Sequence, residues 1–214
     1  MKSITRQKRI EEIQEALQGF EKVFVTGCGT CTTLTKTGGV EQVEAMKESL
    51  LQMGKRVTGG TVIPTACDDM TEETMKENEQ YIRSADCVLS LSCALGVHRL
   101  TLYLDKPVIP AVDTLFIGVE ESPGYFREVC SQCGQCLLGE TAGICPITAC
   151  HKGLVNGPCG GTNNGKCEVD KEKDCAWTLI YNRLKEQNRL DLMRRFQPPR
   201  NYNVTLKPGV MRIE

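Results

Sequence analysis

The segment CSQCGQC spaces Cys130, Cys133 and Cys136 with two residues between neighbours. Three thiolates so close in sequence can wrap one face of a cubane iron–sulfur cluster, with a fourth ligand supplied from elsewhere. Zinc ribbons more often use two separated C-x2-C pairs, so the run of three fits 4Fe-4S better, with zinc as the alternative. Downstream, Cys145, Cys150, Cys159, Cys167 and Cys175 bring this stretch to eight thiols, enough for two clusters. Pro146 follows Cys145 as in the cysteine–proline ending of bacterial ferredoxins, where that cysteine serves the other cluster, so the pairing of the eight stays open. The glycines of NGPCGGTNNGKC let backbone amides turn and come close to sulfur.

A second constellation depends on the fold. Cys28 ends an apolar run, KVFVTGC, and Cys67 and Cys93 follow two further runs, TVIPTAC and CVLSLSC. If these are successive parallel strands, their carboxyl ends form one crevice, and Cys31, three residues after Cys28, supplies a fourth thiolate. Cys28, Cys31, Cys67 and Cys93 then make a closed four-cysteine site, giving two to three clusters in all, three being the better fit. Cys87 starts its strand at the opposite end and reads as a structural thiol. The rival for GCGTC is a redox-active C-x-x-C at a helix start, where the helix dipole lowers a thiol pKa. His98 and His151 are too few, and too far from any ligand spacing, to form a histidine metal site. Nucleotide-hydrolase, serine-hydrolase and dinucleotide signatures are missing, and no independent catalytic pocket is visible in the motifs.

The elements that must position these thiols alternate. An amphipathic helix is expected from Ser3 to Leu17, on Ile10, Ile13 and Leu17. Three rounds of strand then helix follow, with Val40, Val43, Met46 and Leu50 on one helical face and Thr71 as a helix cap, and PVIPAV gives a fourth strand. Continuous apolar strands between helices predict an α/β fold with a small, three-layer parallel-sheet domain. Near Glu120 the texture changes to a mostly irregular, metal-binding, cysteine-rich segment. Asp174 then caps a helix striped by Trp177, Ile180, Tyr181 and Leu184, and an extended tail carries a short strand at Tyr202 to Leu206. The expected boundaries are 1–119, 120–176 and 177–214, the last with the Trp177 helix and the tail from Gln197 as a docking surface or as intrachain packing.

With 214 residues and 13 cysteines, the chain is far richer in thiols than an ordinary globular protein. Lys plus Arg number 26 against 27 for Asp plus Glu, a net charge of -1 that argues against a nucleic-acid partner. No apolar run reaches the roughly 18 residues of a membrane span, and the opening MKSITRQKRIEEI lacks a signal-peptide core. A cytoplasmic location follows, where disulfides are rare and so many thiols point to metal or redox chemistry.

The segments GICPITACHKGLVNGPCGGTNNGKCEV and DCAWTLIYNRL, with the amino-terminal TGCGTCTTLTKTGG and the turns Cys67-Asp68 and Ser92-Cys93, resemble the methylenetetrahydrofolate reductase C-terminal domain family. Members of this size resemble the small iron–sulfur or zinc-finger subunit (MetV-type) that sits beside the flavin-carrying catalytic subunit of the reductase. The resemblance implies a non-catalytic subunit of an oxidoreductase complex, since the barrel that binds flavin and folate is absent from this sequence. It also implies a hetero-oligomer with that flavin subunit and with further electron-donor subunits. The resemblance leaves iron–sulfur against zinc undecided.

Overall fold

The computed structural model describes residues 2–205 together with 208, 209 and 211. It divides into two compact units, Met1–Phe126 and Arg127–Glu214.

The first unit begins with β1 (Lys2–Gln7) and α1 (Ile10–Ala16), followed by β2 (Lys22–Cys28), α2 (Cys31–Leu34) and α3 (Val40–Gln52). Next come β3 (Arg56–Ile63), α4 (Met70–Glu77), α5 (Glu79–Ser84), β4 (Cys87–Ser90) and α6 (Ala94–Tyr103). β5 (Val108–Pro110), β6 (Val112–Ser122) and β7 (Tyr125–Glu128) complete the strands. Four of these strands form a parallel sheet in the order β3-β2-β4-β5. Alternation along each strand divides the core. Val23, Val25, Cys87 and Leu89 face a layer that includes Ile13, Leu17, Val43, Met46 and Leu50. Phe24 and Val88 face the other layer with Met75, Ile82 and Leu100. Helices therefore cover both sheet faces, as the unbroken apolar strands require. Of the two central strands, β4 is buried along its whole length and β2 from Val23 to Cys28. Burying a leucine such as Leu89 stabilises by about 2 kcal/mol relative to leaving it in water.

The expected helix over Ser3–Gln7 is instead a strand. β1 pairs antiparallel with β6, Lys2 opposite Gly118 and Gln7 opposite Val112, in a second sheet ordered β1-β6-β7. Helical spacing holds only from Ile10, and Ile4, Thr5 and Ser3 are buried by the β pairing. Lys2 meets Glu120 at 2.7 Å and Lys8 meets Asp113 at 2.5 Å, pairs that straddle this strand pairing. Val40, expected on the core face of α3, is 66% exposed because it is the first helical residue and lies before the stripe turns inward. Thr71 does not cap α4. Asp69 occupies the cap position, and the buried Thr71 hydroxyl donates to the Ala66 carbonyl at 2.8 Å.

Arg127–Glu214 contains α7 (Pro146–Ala149), α8 (Ala176–Glu186), and 3-10 turns at Leu190–Arg194 and Tyr202–Thr205. Trp177, Ile180 and Leu184 of α8 pack with Leu192 in a small core, whereas Tyr181 stays exposed. Cys175 caps α8 in place of Asp174, whose carboxylate instead receives Lys166 Nζ at 2.7 Å. The tail strand expected at Tyr202 to Leu206 is a 3-10 turn over Tyr202–Thr205, and Leu206 lies outside the described residues. Among the described residues, 23 buried apolar residues precede Arg127 and five follow it. No described helix is long and apolar enough to cross a membrane.

Gly38 is the tightest point of the first unit. Its carbonyl accepts the Cys28 amide at 2.9 Å, and a Cβ built there would stand 1.9 Å from the Leu91 carbonyl oxygen. Gly54 has open space around it but a φ of +77°. Gly38→Ala is expected to destabilise by about 3 kcal/mol through overpacking, and Gly54→Ala by about 1 kcal/mol through backbone strain. Urea midpoints measure both, and equal midpoints for the two variants would contradict this packing.

Candidate metal centres

The carboxyl ends of the parallel strands carry the first group of thiols. Cys28 is the last residue of β2 and is buried, and Cys31 opens α2 three residues later. Cys67 lies in the turn after β3, and Cys93 caps the amino end of α6. The neighbouring chain fixes these positions. The Ala66 amide donates to Cys28 Sγ at 3.5 Å, which seats the Cys67 turn against the end of β2. Gly96 of α6 lies so close that an added Cβ would be 2.6 Å from Ser92 Oγ and 2.9 Å from the Ala66 Cβ, so the Cys67 and Cys93 turns adjoin. Arg99 of α6 donates to the Asp69 carboxylate and lies over the Tyr103 ring at 5.1 Å, tying the segment after Cys67 to the helix that Cys93 caps. The Thr32 and Thr33 hydroxyls donate to the Cys28 carbonyl at 3.1 and 2.7 Å, which folds α2 back over the strand end.

Loss of part of its water shell, then the nearby Cys93 and Cys28 sulfurs and the Asp68 carboxylate, push the Cys67 thiol up. Neighbouring thiolates oppose one another's ionisation, and a cation among them would reverse that preference. Thiolates are donors that suit zinc or an iron–sulfur cluster in chemistry.

In Arg127–Glu214 the sulfurs divide between loops. Cys130 is exposed in the first loop, where the Gln132 amide points at Cys130 Sγ from 3.4 Å. The tail crosses this loop: Arg200 donates to the Cys133 carbonyl at 3.0 Å, the Asn201 amide donates to Gln135 Oε1 at 2.9 Å, and Gly134 lies beneath Val204 and Thr205. Burial pushes the Cys133 thiol up, but hydrogen bonding from Arg200 and the Gln135 backbone outweighs it, leaving the pKa lowered. Cys145 and Cys150 cap opposite ends of α7.

The second loop system is built on the Asn164-Gly165 pair. Both residues have positive φ, 49° and 78°, and Asn163 and Lys166 exchange backbone hydrogen bonds at 3.1 and 2.9 Å, a tight hairpin of the kind this dipeptide favours. Its arms place the Cys167 amide 2.9 Å from the Lys173 carbonyl and the Cys175 amide 2.7 Å from the Gly165 carbonyl. The result is one small cavity of about 20 Å³, bordered by Cys150, Cys159, Cys167 and Cys175 together with Lys152, Thr162, Glu168 and Trp177. The Gly161 amide donates to Cys159 Sγ at 3.4 Å, and Lys152 pairs with Glu168 beside it. Burial raises the Cys175 pKa, but hydrogen bonds from the Thr178 and Trp177 backbone and from the Thr178 and Thr162 hydroxyls bring the net shift down. These amides, hydroxyls and Lys152 are donors suited to stabilising thiolates. All 13 thiols are free, and among the described residues no group of three or more His, Cys, Asp and Glu side chains is placed to hold a single metal ion as it stands.

Sequence reasoning misses Arg200, which reaches Cys133 across 67 positions, and the Lys152–Glu168 pair, neither of which has a spacing signature. The Asn164-Gly165 hairpin carries a signal that could have been read. His151 lies 3.7 Å from Asp170 and does not border the cavity.

Residues 109–203 match the family model described as Methylene-tetrahydrofolate reductase C terminal. The match includes all eight thiols from Cys130 to Cys175 and stops short of the strand-end group. No curated protein and no solved structure matches the chain.

Cys87 is fully buried in the sheet core, and burial pushes its thiol up to about 11. A raised thiol pKa gives stability that is complete below the ordinary value of 9.0 and is lost as pH rises through about 11. Cys87→Ala should therefore flatten the loss of stability between those two pH values and leave metal content unchanged. Urea titrations across that range with elemental analysis measure both, and a loss of metal would move Cys87 into a site.

Proposed function

We propose that the chain is an accessory electron-transfer subunit of a methylenetetrahydrofolate reductase complex. The observation that carries this reading is the gathering of thiols near the strand ends and around the cavity, within a chain whose residues 109–203 match the reductase C-terminal family. Cys28, Cys31, Cys67 and Cys93 would hold one 4Fe-4S cluster. Cys130, Cys133, Cys136, Cys145, Cys150, Cys159, Cys167 and Cys175 would hold two more. Such clusters supply one-electron transfer at potentials set by burial and hydrogen bonds to sulfur. The chain's own residues accept that role: amides at Ala66, Gln132 and Gly161 point at sulfurs, and Arg200 and Lys152 put positive charge beside them. Four thiolate ligands leave no open position for substrate, so reduction of the folate belongs to a flavin-carrying partner, where the flavin converts single electrons to pairs.

One observation favours a second reading. The cavity of about 20 Å³ has room for a body the size of one water or ion, which suits zinc and a purely structural adaptor in the same complex.

Cys133→Ser separates the two. In a complex reconstituted without oxygen with the flavin subunit, the variant is expected to slow flavin reduction by a one-electron donor at least tenfold while the two chains still co-elute. An unchanged rate would exclude the relay and leave the adaptor.

A further inference from the structure

The eight thiols of Arg127–Glu214 can be grouped in many ways, and the cavity selects one. It is bordered by Cys150, Cys159, Cys167 and Cys175, and Cys130, Cys133, Cys136 and Cys145 do not border it. α7 supplies the division between neighbours: Cys145 precedes its first residue and Cys150 follows its last, so a hydrogen-bonded turn stands between the two sulfurs. The Asn164-Gly165 hairpin brings Cys167 and Cys175 together, and Cys175 in turn caps α8, whose first turn carries Trp177 into the cavity wall. The Trp177 indole donates to the Leu154 carbonyl at 2.9 Å, which anchors the loop after Cys150 to the same helix. Three separate chain segments thus border one space, held by the hairpin and by the Trp177–Leu154 hydrogen bond.

We propose that Cys150, Cys159, Cys167 and Cys175 form one closed four-thiolate centre, and that Cys130, Cys133, Cys136 and Cys145 ligate a different one. The inference rests on the reading of these thiols as metal ligands given above. Each S–H proton passes to solvent as its metal–sulfur bond forms, so loading releases protons and the affinity rises with pH. Lys152 and the amino end of α8 offset part of the negative charge that remains. The assignment departs from the ferredoxin arrangement, in which the cysteine before proline crosses to the other cluster. Here Cys145 stays with the thiols that precede it.

The test needs no variant that might fail to fold. The whole chain, prepared without oxygen, is stripped slowly with a chelator while samples are pulsed with iodoacetamide and each cysteine is followed by mass spectrometry. Cys150, Cys159, Cys167 and Cys175 are expected to lose protection with one common rate, and Cys130, Cys133, Cys136 and Cys145 with another. Metal content supplies a second readout: the double variant Cys159→Ser with Cys167→Ser should lose no more than Cys159→Ser alone, whereas Cys159→Ser with Cys133→Ser should lose twice as much. Cys145 following the rate of Cys159, or a double loss from Cys159 and Cys167 together, overturns the grouping and leaves the functional reading intact. A chain that holds no metal at all overturns both.

Discussion

Several thiolates brought together repel one another, and they remain together only where positive charge compensates them. The surroundings of the thiols in this chain are read from that constraint. At the strand ends it appears as a Cys67 thiol whose ionisation is opposed first by burial and then by the neighbouring sulfurs of Cys93 and Cys28. Around the cavity it appears as amides, hydroxyls and Lys152 gathered beside Cys159 and Cys175. A metal or cluster would turn the repulsion into cohesion, and folding would then be coupled to loading, which for structural zinc in small domains is worth about 10 kcal/mol or more at neutral pH.

The need differs between the two units. Met1–Phe126 has a two-faced apolar core around its parallel sheet, Cys87 included, while Cys28, Cys31, Cys67 and Cys93 sit at the edge where ligand sites of open α/β sheets occur. Among the described residues of Arg127–Glu214 there is one small apolar cluster around Trp177, little burial with which to order long glycine-rich loops. Cohesion there has to come from the loops' own contacts and from whatever the thiols bind. The tail belongs to that set of contacts. Asn156 and Gln197 exchange hydrogen bonds at 2.9 and 2.6 Å, and Arg200 and Asn201 fasten the tail over the first cysteine loop.

The parallel sheet was legible because its strands are continuous apolar runs separated by helical periodicity, a pattern few other folds produce. The gathering of Cys28, Cys67 and Cys93 was legible for the same reason, since each follows such a run. The second sheet was not. β1 is a short strand whose pairing partner lies more than a hundred residues away, and the helical pattern starting at Ile10 reads smoothly backwards through it. In the cysteine-rich unit the thiols themselves were plain, but their grouping was not, because loops of glycine and asparagine impose no period. Only the hairpin at Asn164-Gly165 and the two caps of α7 break that silence. Arg200 was beyond reach of any local pattern, since its contact with Cys133 is made by a distant segment.

The most direct measurement is the iron, zinc and acid-labile sulfide content of the whole chain isolated without oxygen. Three four-thiolate cubanes predict about twelve iron and about twelve sulfide per chain. A colourless chain with stoichiometric zinc and no sulfide would contradict the electron-transfer account.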